Sequence, residues 1–228
     1  MGLIALKERC QCRDVAGRSG AVTVRVELGD ALTMATPLLA LKYAQRSYGV
    51  DRAAVERLGE DVARRLPGVG QHLLVPGGPH IPARNVLFVG VPPINEFGYS
   101  DIRGFASHSL CVAAEMNVLE VCMTLHGAGF GLDEVEAFRA QVAGLLDSVE
   151  SDVAGRQLDR VLFLERNTRR VHLMRSVLEE IWPQVADHQL SRTSPGPAGN
   201  TLDMAGLRPA ASCTGARLHR HALSRKLR

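Results

Sequence analysis

No apolar run in this 228-residue chain reaches the roughly 18 residues that a membrane-crossing helix needs, so a membrane-spanning class is not expected. The start, MGLIALKERCQCRDV, has only a four-residue apolar stretch before its charges, which is not the pattern of a secretory signal. Leu6 stands where myristoylation asks for Ser or Thr. There is no Walker loop, no complete GxGxxG and no Ser or Cys in a nucleophile-elbow motif. The five cysteines are odd in number and scattered. Cys10 and Cys12 form a CxC without a second Cys or His pair at zinc spacing, so no metal ligand is assigned. Cys111 and Cys122 lie in apolar segments and read as small buried residues. A reducing cytoplasm is the expected compartment.

Acidic residues are also missing from one region. After Asp203 there are none, yet six basic residues follow: Arg208, Arg217, Arg220, Arg225, Lys226 and Arg228. They account for the net charge of +3, because the first 207 residues hold 21 Lys and Arg against 24 Asp and Glu. The fold is therefore mildly acidic, and the basic character belongs to a tail without aromatics. Such a tail reads as a linker or disordered terminus, with at most weak contact to nucleic acid. Its His219, Arg220 and His221 have no metal-ligand companions.

What is present is a globular composition, 46% hydrophobic and 22% charged, in a chain long enough for one substantial domain. Strand and helix signals alternate. VTVRVEL (22–28) alternates strictly, as a half-buried or edge strand does. PLLALKYA (37–44), NVLFVGV (85–91), VLEVCMTL (118–125) and RVLFLE (160–165) read as buried strands, and a short strand is expected over 72–75. Helices are expected from Asp51 to Leu66, from Ser100 to Met116, from Asp133 to Val149 and from Thr168 to Trp182. Asp133 with Glu136 resembles a capping box. From Pro183 the pattern fades, and SRTSPGPAGNT (191–201) reads as a linker. The organisation expected is an N-terminal segment (1–20), one domain (21–183) and a linker with tail (184–228). Strands joined by helices imply a three-layer α/β/α domain with a central mixed, mostly parallel sheet, and ligands beyond its carboxyl edge.

Five segments in order carry a resemblance: GDALTMATPLLAL (29–41), SYGVDRAAVERLG (47–59), HIPARNVLFVGVPP (80–93), TLHGAGFG (124–131) and RVLFLE with its helix. Together they resemble a macrodomain, the fold that binds ADP-ribose and related nucleotides. The resemblance implies that Asp30 receives the adenine amino group and that Gly49, Val50 and Asp51 wrap the diphosphate. It implies that Gly127, Ala128, Gly129, Phe130 and Gly131 give backbone amides to phosphate and an aromatic to the distal ribose. A cleft between loops 43–51, 92–99 and 126–131 follows from it. The family's Asn-Ala-Ala-Asn signature is replaced by Lys42, Tyr43, Ala44 and Gln45.

The resemblance thus implies binding or sensing of an ADP-ribose-type nucleotide without a cofactor, as a bacterial module of a larger signalling or defence system. Two alternatives stay open. One is an ADP-ribosyl hydrolase. The other is a fold-only protein-interaction domain whose cleft is filled by Tyr43, Tyr48 and Phe97. No catalytic residue is assigned; His126 at the strand-to-loop junction is the histidine to watch. Individual residues keep two readings. Asp30 also suits a turn, Lys42 either supplies charge to a diphosphate or is a solvated strand end, and Phe130 also suits a staple on the following helix. For the glycine loop, anion binding and a plain turn both remain, with the following helix adding its positive end and Asp133, Glu134 and Glu136 opposing it.

Overall fold

The computed structural model describes residues 22–150, 158–181 and 188–190. The strands in chain order are β1 (Val22–Leu28), β2 (Leu38–Tyr43), β3 (His72–Pro76), β4 (Asn85–Gly90), β5 (Glu120–Met123), β6 (Arg160–Glu165) and β7 (His188–Leu190). They form one sheet in the order β3-β4-β2-β5-β6-β1-β7. The five central strands are parallel, and β3 and β7 close the edges antiparallel. The helices are α1 (Gly49–Leu58), α2 (Glu60–Ala63), α3 (Tyr99–Glu115), α4 (Glu134–Glu150) and α5 (Thr168–Ile181).

Strand alternation sorts the core into two layers. Leu38, Ala40, Leu87, Val89, Val121, Met123, Val161 and Phe163 pack with α3, α4 and α5. Leu39, Leu41, Val86, Phe88, Cys122, Leu162 and Leu164 pack on the other face with Ala54 and Val62 of α1 and α2. Both faces of the central strands are thus covered, which is why their sequences run apolar without a break. In β1, Val22, Val24 and Val26 face the α3–α5 layer, while Thr23, Arg25 and Glu27 are half-exposed. This explains its strict alternation, yet β1 is flanked by β6 and β7 and is not an edge.

Two elements differ from expectation. The helix read from Asp51 to Leu66 begins two residues earlier and breaks at Gly59, whose φ of 91° is left-handed. Its innermost residues are Asp51 and Ala54, with Val55 and Leu58 only half-buried. The strand β7 lies beyond Pro183 and pairs with β1 through Val22–Leu190, Thr23–Gln189 and Val24–His188. Cys10, Cys12 and the basic tail lie outside the described residues. No helix among the described residues is long and apolar enough to cross a membrane.

Parallel order brings the carboxyl ends of β1, β6, β5 and β2 to one edge. The segments that follow them are 29–32, 164–166, 124–130 and 42–51.

Candidate functional site

These segments enclose one cleft of about 440 Å³, within the usual range for a small-molecule site. Asp30, Gly49, Val50, Asp51, Gly127, Ala128, Gly129 and Phe130 all line it; Gly131 does not. Loop 92–99 does not line it either, so the expected third wall is absent. That loop instead buries Phe97, whose ring centre is 5.8 Å from Lys42 Nζ. Tyr48 is on the wall, but Tyr43 and Phe97 are not, and the three do not fill the cleft.

The wall beside Asp30 was not legible beforehand. It comprises Leu164, Glu165, Arg166 and Arg170, because β6 lies beside β1. Arg57 is a further addition. It follows Gly49 and Ala53 at helical spacing of four, so one face of α1 turns all three to the cleft. Its guanidinium donates to Leu32 O at 3.0 Å.

The two glycine loops differ in how they offer donors. Gly49 and Val50 are the first two residues of α1, whose N-terminal amides have no partner within the helix. That helix end, with its positive dipole, lies on the cleft wall. The second loop turns with Phe130 N donating to Gly127 O at 2.9 Å, and Gly127 takes a φ of 90°. The amides of Ala128 and Gly129 make no hydrogen bond among the described residues. Gly129 is exposed, and a Cβ there would meet nothing within 4 Å.

The helix after this loop does not contribute as expected. Asp133 Oδ1 caps α4 by accepting from Val135 N at 2.9 Å and Glu136 N at 3.0 Å, so these amides are spent. The acidic cluster at its start is also matched. Glu134 pairs with Arg169 and Arg170, and Glu136 with Arg139. Asp30 Oδ1 accepts from Leu32 N at 2.9 Å, an Asx turn that also keeps the carboxylate on the cleft wall.

Lys42 is the principal correction. It is buried to 3% and is not a solvated strand end. Its Nζ lies 3.8 Å from Asp51 Oδ1 and 4.8 Å from the centre of the Phe130 ring. Phe130 sits on Lys42 and meets Tyr48 edge-on at 5.7 Å. Asp51 Oδ2 accepts from Tyr48 N at 3.2 Å. Burial lowers the Lys42 pKa more than Asp51 raises it. Burial likewise raises the Asp51 pKa against the pull of Lys42 and the Tyr48 amide. Each charge is therefore desolvated beyond what its partner restores.

His126 is 3% exposed, lines the cleft and stands edge-on to Phe105 at 4.5 Å. Its Nε2 has no hydrogen-bond partner. Burial, then the Lys42 charge, push its pKa well below 6.5, so the imidazole is neutral at neutral pH. Cys122 is a buried thiol pushed up to about 12 by burial, then by Glu120 and Glu27, and is unreactive.

No family model matches this chain, and no curated protein matches it. Solved structures do. The Oceanobacillus iheyensis macrodomain with MES bound is similar at a TM-score of 0.60 and 13% identity, over 74% of this chain and 97% of that one. The Trypanosoma brucei macrodomain in complex with ADP-ribose gives 0.58 and 18%, over 68% of each chain. The macro domain of ganglioside induced differentiation associated protein 2 gives 0.57 and 15%, over 71% and 86%. Identities this low speak for architecture alone, and on that ground the chain is a divergent bearer of the macrodomain fold.

Proposed function

We propose that the cleft binds ADP-ribose or a related adenine nucleotide diphosphate. The observation that carries this reading is the Lys42 ammonium on the cleft wall. It has three N–H donors, is almost fully buried, and has its nearest carboxylate oxygen at 3.8 Å, beyond hydrogen-bond distance. A diphosphate oxygen would satisfy it. The amides of Gly49, Val50, Ala128 and Gly129 would take further oxygens. In this reading Asp30 holds the base and Phe130 the distal ribose, with Gly131 outside the contact set. The macrodomain from T. brucei, solved in complex with ADP-ribose and separately with ADP, supports the ligand class.

Calorimetry with ADP-ribose tests the proposal. Saturable binding and thermal stabilisation are expected; neither at millimolar ligand would refute it. Gly129→Glu places a carboxylate in the cleft at an exposed position without left-handed strain. It should abolish binding while leaving the melting temperature unchanged. Retained affinity would remove the second loop from the site.

A further inference from the structure

The cleft has a second positive end, remote from Lys42. Arg57 and Arg166 both stand on its wall, and both are tied to the turn at Asp30. Arg57 donates to Leu32 O at 3.0 Å, and Leu32 N donates to Asp30 Oδ1 at 2.9 Å. Arg166 follows Glu165, whose backbone carbonyl accepts from Gly29 N at 3.0 Å, one residue before Asp30. In the sheet β1 and β2 are three strand spacings apart. At about 4.8 Å each, that sets the Asp30 turn about 14 Å from the strand that carries Lys42.

The charge at this end is unanswered. Among the described residues neither guanidinium stands in an ion pair, whereas Arg170 on the same wall is paired with Glu134. A guanidinium has five N–H donors. Arg57 has spent one of them, and Arg166 is exposed with none spent among the described residues. The nearby carboxylates are turned elsewhere: Asp30 accepts from Leu32 N and Glu165 from Asn167 N, both at 2.9 Å. On the reading above this end takes the adenosine. Adenine and ribose carry no charge, so an unphosphorylated adenosine would lie against two cations without answering either.

We propose that Arg57 and Arg166 form a subsite for a second phosphate, carried on the 2′ or 3′ hydroxyl of the adenosine. The cleft would then select a nucleotide phosphorylated on that ribose over its unphosphorylated parent. This inference rests on the ADP-ribose reading, because Asp30 marks the adenosine end only within it. A phosphate monoester suits the pair, since it carries up to about two negative charges on three acceptor oxygens. The planar fork of a guanidinium matches two such oxygens at once. The diphosphate and the monoester would meet separate cations, Lys42 with the loop amides for one and the two arginines for the other. Asp30 and Glu165 oppose the second phosphate, and the adenine amino group at Asp30 answers one of them.

The test is calorimetry at fixed ionic strength on the native chain, Arg166→Gln and Arg57→Gln. One pair of ligands is ADP-ribose and ADP-ribose 2′-phosphate. AMP, adenosine 2′,5′-bisphosphate and adenosine 3′,5′-bisphosphate form a second set, which tells the two hydroxyls apart. The native chain should prefer at least one ribose-phosphorylated ligand over its parent by at least about tenfold, the worth of one hydrogen bond to a charged group. The ratio should fall toward one in each variant, and it should shrink with added salt. Arg166 has no partner among the described residues, so its replacement should leave the melting temperature unchanged. If ADP-ribose binds and no added phosphate tightens binding, the subsite is overturned while the reading of the cleft stands. A preference that survives both variants would overturn the two arginines as its source. If Arg166→Gln weakens ADP-ribose and its 2′-phosphate equally, the guanidinium only stacks on the base, and the subsite is again overturned. If no ligand binds at millimolar concentration, the ADP-ribose reading itself falls and takes the subsite with it.

Discussion

Replacing Lys42 by Met separates what the ammonium does for the fold from what it does for a ligand. At the observed 3.8 Å, an effective dielectric of about 20 gives a Lys42–Asp51 attraction of about 4 kcal/mol. Against it stands the desolvation of two side chains that are each 3% exposed, which costs several kcal/mol per ion. Desolvation outweighs the attraction, in keeping with both pKa values shifting toward the neutral form. Lys42→Met alone leaves Asp51 buried without its counter-charge and should cost about 3–5 kcal/mol. Asp51→Asn should cost a similar amount. The double variant removes both charges and should lie within about 1 kcal/mol of the native chain. Urea denaturation closes this cycle.

Ligand affinity should follow a different pattern. A hydrogen bond from an ammonium to phosphate is worth about 1.5–3 kcal/mol, or roughly 10- to 100-fold. Lys42→Met and the double variant should both lose that factor for ADP-ribose, whereas Asp51→Asn should keep full affinity. Additive stability losses would refute the pairing. Full ADP-ribose affinity in the stable double variant would refute the ammonium as the anion site.

Three further outcomes are expected. Gly127 has a φ of 90°, and a Cβ there would lie 2.9 Å from Ile102 Cδ1 and 3.0 Å from Leu132 Cδ1. Gly127→Ala should therefore cost about 1–3 kcal/mol in urea denaturation, while Gly129→Ala stays within about 0.5 kcal/mol; equal costs would contradict this account of the loop. His126 stays neutral in the fold but takes a proton when unfolded below its ordinary value of 6.5. As pH falls through 6.5 the native chain should thus lose about 1.4 kcal/mol per unit relative to His126→Gln, and parallel stability curves would be the contrary result. Inorganic pyrophosphate should compete with ADP-ribose, and adenosine, which would reach only the Asp30 end of the cleft, should compete far more weakly than ADP, as read by displacement calorimetry; adenosine binding as tightly as ADP would contradict an anion-centred cleft.

The sheet was legible because its signals are local. Val86 to Val89 and Val161 to Leu164 are apolar on both faces, and only a central strand buries both. The position of the cleft followed from parallel order. The break at Gly59 was not legible, because Val55, Leu58 and Val62 keep helical spacing across it. Nor was the burial of Lys42. A lysine at a strand end reads as solvated unless the partners from other segments, Asp51, Phe97 and Phe130, are already known to surround it. The cap of α4 was legible in Asp133, but its consequence was not. A side chain that satisfies a helix start also withdraws that start from a ligand.

The balance of donors and acceptors decides which ligand charge the cleft favours. Three carboxylates stand on its wall, and each has spent acceptor capacity on the protein. Asp30 receives Leu32 N, Asp51 receives Tyr48 N, and Glu165 receives Asn167 N. Two of the cations are also engaged: Arg57 donates to Leu32 O, and Arg170 to Glu134. Among the groups without a partner, the Lys42 ammonium and the amides of both glycine loops are donors, and they stand beside His126 Nε2 and Thr124 Oγ1. They differ in kind, since the amides are fixed by the backbone and the ammonium turns on a side chain held between Asp51 and Phe130. A site with rigid donors around one buried charge gains most from a ligand whose negative charge is spread over several oxygens, because each amide then finds its own acceptor. A carboxylate would satisfy the ammonium and leave amides unpaired. A diphosphate satisfies both, so its advantage over a monocarboxylate comes from the loops and should vanish when the Gly129 side chain blocks them.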